Sequence, residues 1–424
     1  MRLKEIKKPE PGAEEDGRQL SETVSSILQR VKQEGDRALR HYEKKFDNYE
    51  PESFLVSPEE AAQAQDKLPA EIIEELDFTI DRVTAFARAQ KDSLIEFEKE
   101  MWPGQWLGHK TIPLESCGLY VPAGRYPCLT SAVLSVIPAK VAGVKRIIAC
   151  SPPGKDGGVN LAILYTMHQM GVDEIYCFGG AQAIAAFAFG TESIRPVAFI
   201  AGPGNQYVNE AKRQVFGTVG IDLLAGPSEC LVIADQTARA DFIAADLIAQ
   251  CEHDPQVRTG LVTISEPLAR ETLKEVERQL KERTTQEVAA AAWRNKGVVV
   301  VVDSIEDAAR YADEFAPEHL EVHTARPRQL LPLLNNYGAL FLGQNTPEVY
   351  ADKVAGLNQP LPTGGAARYT GGLWVGMFLK VVTYQEVDVK ASLKLAQLTE
   401  TQGAYEGMDA HRYAASIRLE NLKN

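Results

Sequence analysis

Arg146-Ile147-Ile148-Ala149-Cys150 is a short β-branched run that leads into a helix-like segment at 161–171. A second run, Glu174-Ile175-Tyr176-Cys177-Phe178, follows, then a helical stretch at 181–189, then Pro196-Val197-Ala198-Phe199-Ile200-Ala201. Apolar strands that alternate with helices imply a parallel sheet with both faces covered, because parallel neighbours are joined by crossovers. The rhythm returns through Leu231-Val232-Ile233-Ala234-Asp235, residues 260–265 and 298–302, and Ala339-Leu340-Phe341-Leu342. The expected fold class is therefore α/β, with two Rossmann-like parallel-sheet units of similar layout. Residues 20–101 are helical in period, broken by Pro51, Pro58 and Pro69, and read as an N-terminal helical segment. Residues 373–424 differ in texture and close on a helical stretch at 409–422, which suggests a small C-terminal lobe.

The chain has 424 residues, 45% of them hydrophobic, enough for a sizeable core. Its net charge of −13 and lack of a basic cluster argue against a nucleic-acid surface. No apolar run approaches the roughly 18 residues of a membrane helix. The start, from Met1 to Pro9, lacks the apolar core of a signal peptide. The six cysteines show no CxxC spacing and read as buried thiols of a cytoplasmic protein.

Three groups of residues carry chemistry. Gln250 and His253 are three apart in a helical run at 239–253, so both project from one face. With a distant carboxylate such as Asp352, and His411, they make the mixed N/O set that zinc accepts. Spacing alone leaves packing as the competing reading, since nothing local brings Asp352 and His411 to that face. Glu318-His319 follows a helix that Ser304 caps. An adjacent acid and imidazole suit two successive proton transfers, although a surface Glu beside a satisfied His has the same sequence. Finally, glycine-rich turns at Gly179-Gly180-Ala181-Gln182, Ala201-Gly202-Pro203-Gly204-Asn205-Gln206 and Ala225-Gly226-Pro227-Ser228-Glu229 mark strand ends. Together they suggest one ligand-binding rim, with backbone amides and helix N-termini open to a phosphate. The GxGxxG fingerprint is absent.

These stretches resemble the histidinol dehydrogenase family over nearly the whole chain. The resemblance rests on residues 179–186, 201–215, 225–229 and 250–253, on Ala316-Pro317-Glu318-His319-Leu320, and on 406–411. It implies a zinc- and NAD-dependent oxidation of a small polar alcohol to the carboxylic acid through a bound aldehyde, L-histidinol to L-histidine in the namesake reaction. It implies Gln250, His253, Asp352 and His411 as zinc ligands, and Glu318 and His319 as the catalytic pair. Tyr120, Gln182 and Asn205 match NAD contacts, and Ser228 and Glu406 match substrate contacts. It further implies a homodimer whose C-terminal lobe crosses to the partner. The corresponding division is an N-terminal segment 1–19, a first α/β domain from 20–119 plus 232–372 with the zinc and catalytic residues, a second α/β domain 120–231 on the NAD side, and the lobe 373–424.

Departures from the family pattern bear on the substrate. Asn358-Gln359 stands where Asn-His is usual, which places a carboxamide, Gln359, at a substrate-contacting position. Residues 367–376 lack the serine-rich pattern of the biosynthetic enzymes. Arg125-Tyr126-Pro127 is similar to paralogues of the sulfopropanediol dehydrogenase type, where an arginine suits an anionic group such as a sulfonate. The alternatives to histidinol are therefore 2,3-dihydroxypropane-1-sulfonate, giving sulfolactate, and a zinc- and nucleotide-binding paralogue without turnover.

Overall fold

The computed structural model describes residues 3–10, 17–123, 127–155 and 157–422. Its strands, in chain order, begin with β1 (Leu3–Lys7) and a hairpin, β2 (Phe97–Trp102) and β3 (Gln105–Pro113). A first series follows: β4 (Ser116–Tyr120), β5 (Arg146–Ser151), β6 (Glu174–Cys177), β7 (Phe199–Ala201) and β8 (Gly220–Ile221). A second comprises β9 (Glu229–Ala234), β10 (Arg258–Thr263), β11 (Val298–Val302), β12 (His319–His323) and β13 (Ala339–Leu342), before β14 (Leu379–Val387).

The two series form two sheets, β6-β5-β4-β7-β8 and β11-β10-β9-β12-β13, with β1 added to the free edge of β11. Every pairing in both series is parallel, and only β1 runs antiparallel. Counted within its own series, each sheet has the order 3-2-1-4-5 of a Rossmann unit. The duplicated α/β layout expected from the strand rhythm is thus present.

Which helices cover which sheet differs from the expected division. Val24, Ile27, Leu28 and Val31 of the helix Gly17–Glu34 share a core with Ile184, Phe187 and Val208. The helices Gly17–Glu34 and Asp36–Asp47 therefore pack on the β4–β8 unit, whereas Ala70–Asp92 also reaches residues 353–358, where Thr79 donates to the Lys353 carbonyl. The first packing follows from the apolar stripe of Gly17–Glu34 at i, i+3, i+4 and i+7. Val24, Val31 and Leu39 have no exposed surface, and each such burial stabilises by roughly 1.5–3 kcal/mol.

Residues 97–113 form a hairpin where helical period was expected to run to 101. Pro103-Gly104 makes the turn, with Gly104 at φ +77°, a left-handed position that glycine adopts without strain. β3 pairs antiparallel with β2 and with β14. Lys91–Pro113 and Leu379–Asn424 consequently make a compact unit of their own, so the small lobe is built from two separated segments instead of 373–424 alone. Within it, the helices Val389–Glu406 and Asp409–Asn421 pack as a hairpin, with Ala396 and Ala415 buried between them.

At the switch point of the first sheet, Gly202 follows β7 with φ +120°, and a Cβ there would overlap the Tyr120 carbonyl oxygen at the end of β4. Gly202→Ala is expected to cost about 2–3 kcal/mol or more, from strain plus overlap, read as a lowered urea midpoint.

Candidate active site

The catalytic candidates lie at the amino end of the β9–β13 sheet. Glu318 immediately precedes β12 and His319 opens it, opposite Cys230 of β9 and Ala339 of β13. Both are buried, at 8% and 3% exposure. The backbone of one residue, Glu229, orients the pair. The Glu229 N–H donates to Glu318 Oε2 at 3.0 Å, and the Glu229 carbonyl lies 3.1 Å from His319 Nδ1. A carbonyl can only accept, so Nδ1 carries the proton and Nε2 is left as a basic lone pair. That Nε2 is buried with no hydrogen-bond partner and lies 3.6 Å from Glu348 Oε1.

Gln250 and His253 end the helix Ala240–Cys251 and the turn beyond it, close to a π-helical turn, Ala351–Ala355, that carries Asp352. His253 Nε2 is 3.6 Å from Asp352 Oδ2, and Gln359 Nε2 donates to Asp352 Oδ1 at 2.6 Å. Thr130 Oγ1 holds the Asp352 carbonyl, and Thr79 Oγ1 that of Lys353. The structure thus unites Gln250, His253, Asp352, Gln359 and the Glu318–His319 pair. Glu406 and His411 are exposed on the helical hairpin of the second unit.

Fully buried carboxylates dominate the electrostatics. Burial, aided by the Asp352 and Glu348 charges, raises the Glu318 pKa to about 7. Burial and the neighbouring Asp352 push Glu348 well above the usual range. Burial also opposes ionisation of Asp352, but the His253 hydrogen bond, the nearby His319 and His253 rings and the Gln359 amide hold it below its ordinary value. The two carboxyls therefore titrate as a coupled pair, Glu348 shifted up and Asp352 down.

Gln250 Oε1 and Nε2, His319 Nε2 and Glu348 Oε1 are all buried without a hydrogen-bond partner. His319, Glu348 and Asp352 offer donor atoms within 4.8 Å of one another. Orphaned buried polar atoms cost roughly 1–3 kcal/mol each, so this gathering fits a group that supplies the missing partners. An imidazole, carboxamide and carboxylate set suits zinc.

Tyr120, Gln182 and Asn205 lie at the carboxyl edge of the β4–β8 sheet. The expected phosphate cradle, however, is filled by the protein itself. Glu43, 0% exposed, accepts from Gly179 N at 3.2 Å and Gln182 Nε2 at 2.8 Å, and Gly180 N donates to the Tyr120 hydroxyl. Gly202 N donates to Asp222 Oδ2, and Asn205 Oδ1 caps the helix Gln206–Val215. The third glycine turn is not on this rim alone. It links the carboxyl end of β8 to the amino end of β9, joining the nucleotide rim to the catalytic edge. There Thr363 Oγ1 accepts from Gly226 N, and Glu229 Oε1 accepts from Gly364 N. These bonds tie the loop after Gln359 to the turn bearing Ser228. A cleft of about 490 Å³ opens beside them, lined by Glu229, Arg258, Lys296 and Gly364 among others. Arg125 and Tyr126 lie outside the described residues.

Glu229 and Glu348 are functional candidates not singled out from the sequence. Glu348 was within reach, since it stands one helical turn before Asp352. Glu229 acts largely through its backbone, which leaves no side-chain signal.

The family model of histidinol dehydrogenase matches residues 11–419. The chain belongs to the histidinol dehydrogenase family. Among its relatives is the histidinol dehydrogenase of Geobacillus kaustophilus, 44% identical over 97% of this chain and 96% of that one. A histidinol dehydrogenase homolog of Shouchella clausii is 45% identical over 95% and 94%. The sulfopropanediol 3-dehydrogenase of Ruegeria pomeroyi is 40% identical over 99% and 97%. The crystal structure of histidinol dehydrogenase from Elizabethkingia anophelis superposes with a TM-score of 0.92 at 35% identity, covering 99% of this chain and 95% of that one.

If Gln250 is held for a ligand and not for packing, Gln250→Met should leave the metal-free protein as stable or about 1–2 kcal/mol more so. The same variant should lose the rise in melting temperature on adding zinc.

Proposed function

We propose that the protein oxidises a small polar primary alcohol to the carboxylate in two NAD-dependent steps at a zinc centre. The observation that carries this reading is the buried His319 with its Nδ1 proton committed to Glu229, its Nε2 free, and Glu318 beside it. Tyr120, Gln182 and Asn205 are the proposed NAD contacts. Gln250, His253 and Asp352, with His411 of the partner subunit, are the proposed zinc ligands. When bound, NAD supplies the hydride acceptor and zinc a fixed positive charge that orients the alcohol.

His319 Nε2 accepts the alcohol proton as the substrate becomes an aldehyde. Glu318 then takes a proton from the water that adds to that aldehyde. Burial of the pair keeps bulk water from the intermediate. Ser228, Gln359 and Glu406 of the partner subunit are the proposed substrate contacts.

L-histidinol is the first substrate to test, because the zinc set and catalytic pair match the family pattern without change. Gln359 favours a second reading. Its amide nitrogen donates to Asp352 where an imidazole is usual, and Lys296 gives the adjoining cleft a cationic group, Arg258 there being paired with Glu229. An anionic diol, 2,3-dihydroxypropane-1-sulfonate, fits those features.

Protein supplied with zinc and NAD⁺ is expected to form two NADH per substrate with one of these alcohols. No NADH from either, with zinc bound, removes both assignments. His319→Asn should cut turnover by about 10²–10⁴-fold with zinc retained. Ionised Glu318 is the competent form, so aldehyde oxidation should rise with pH through about 7. That limb should vanish in Glu318→Gln. Mixing inactive His319→Asn and His411→Ala proteins should recover activity if sites are shared across a dimer, and stay inactive if they are not.

A further inference from the structure

Behind the Gln250–Asp352 site lies a polar cluster that the proposed reaction does not use. The helix Ala240–Cys251 carries Asp246 one turn before Gln250 on the same face. β12 places His319, Glu321 and His323 on one face, because strand side chains alternate. Glu321 and His323 have fully buried side chains, and Asp246 is 12% exposed. His323 Nε2 lies 3.1 Å from Glu321 Oε2 and 3.9 Å from Asp246 Oδ2. Burial, and then the neighbouring Glu321, raise the Asp246 pKa to about 9.

The other oxygen of Glu321 has a distinct task. Oε1 accepts the backbone N–H of Glu348 at 2.8 Å. Glu348 is the first residue of the helical turn that runs on into Ala351–Ala355 and presents Asp352. The opening N–H groups of a helix have no partner within it. Pro347, in the capping position, makes no side-chain cap bond. A carboxylate delivered from β12 fills that role and complements the positive end of the turn.

We propose that Glu321 is a positioning residue for the metal centre. Lying beside Asp246 and His323, it caps the ligand-bearing turn and sets where Asp352 and Glu348 stand relative to Gln250 and His253. The inference rests on the zinc reading above.

Zinc affinity, measured by competition with a chelator on the full-length protein, tests it. Glu321→Asp keeps the charge and the cluster but falls one methylene short of the Glu348 N–H. Glu321→Gln keeps both the reach and an acceptor. Glu321→Asp should bind zinc about 10–100-fold more weakly, while Glu321→Gln stays close to the unaltered protein. Melting of the metal-free proteins separates this from loss of fold. Undiminished zinc affinity in Glu321→Asp overturns the proposal alone. Two zinc ions per subunit, one of them lost in His323→Gln, also overturns it, because the cluster would then be a metal site itself. An unaltered protein that binds no zinc overturns the zinc reading from which the proposal starts.

Discussion

Both members of the candidate catalytic pair hang on the backbone of a single residue, Glu229. Its N–H fixes the Glu318 carboxylate and its carbonyl fixes the His319 tautomer. A side chain in this role could rotate away, whereas the backbone at the start of a fully buried strand cannot. The Glu229 carboxylate, which accepts from Gly364, extends the same control to the loop after Gln359. General acid–base chemistry depends on placement to within tenths of an ångström, and the parallel ladder between β9 and β12 supplies that placement here.

The two sheets share one strand order yet are used at opposite edges. The β4–β8 unit offers its carboxyl edge, the usual ligand-binding side of an open α/β sheet. The β9–β13 unit offers its amino edge, where Glu318 and His319 begin β12. The segment from β8 to β9 passes directly from one to the other, which makes the two edges neighbours. The carboxyl end of the second sheet is closed by the protein itself, with Asp235 accepting from Thr237 N and Ala325 N. One strand order thus presents the candidate nucleotide rim on one sheet and the candidate catalytic pair on the other, a difference set by the connection and not by the topology.

The polar interior of this region is costly, and its pattern identifies its purpose. Most of the core is apolar, yet Gln250, His319, Glu321, His323 and Glu348 lie buried together in one region. The resulting shifts, with Glu318 raised to about 7 and Asp246 to about 9, come first from burial and then from like charges nearby. Where buried groups lack partners, as at Gln250 and His319 Nε2, a ligand is the natural complement. At Glu321 Oε1, which accepts from the Glu348 N–H, the gain is the placement of a neighbour, the turn bearing Asp352.

Much of this was legible in the residues themselves. Strand rhythm gave the two parallel units, because periodicity is a local consequence of burial on both faces. Motif spacing paired Gln250 with His253 and Glu318 with His319, although the helix ends at Cys251 and His253 stands in the turn after it, not on the helix face expected. Only the folded chain decided the rest. The first two helices chose the β4–β8 sheet, and the hairpin at 97–113 joined β14, because an apolar stripe or a strand edge does not encode its partner. The filling of the phosphate cradle by Glu43 was likewise out of reach, as it joins residues more than a hundred positions apart. So was the role of Glu229, since a backbone hydrogen bond leaves no mark on the side chain that a sequence records.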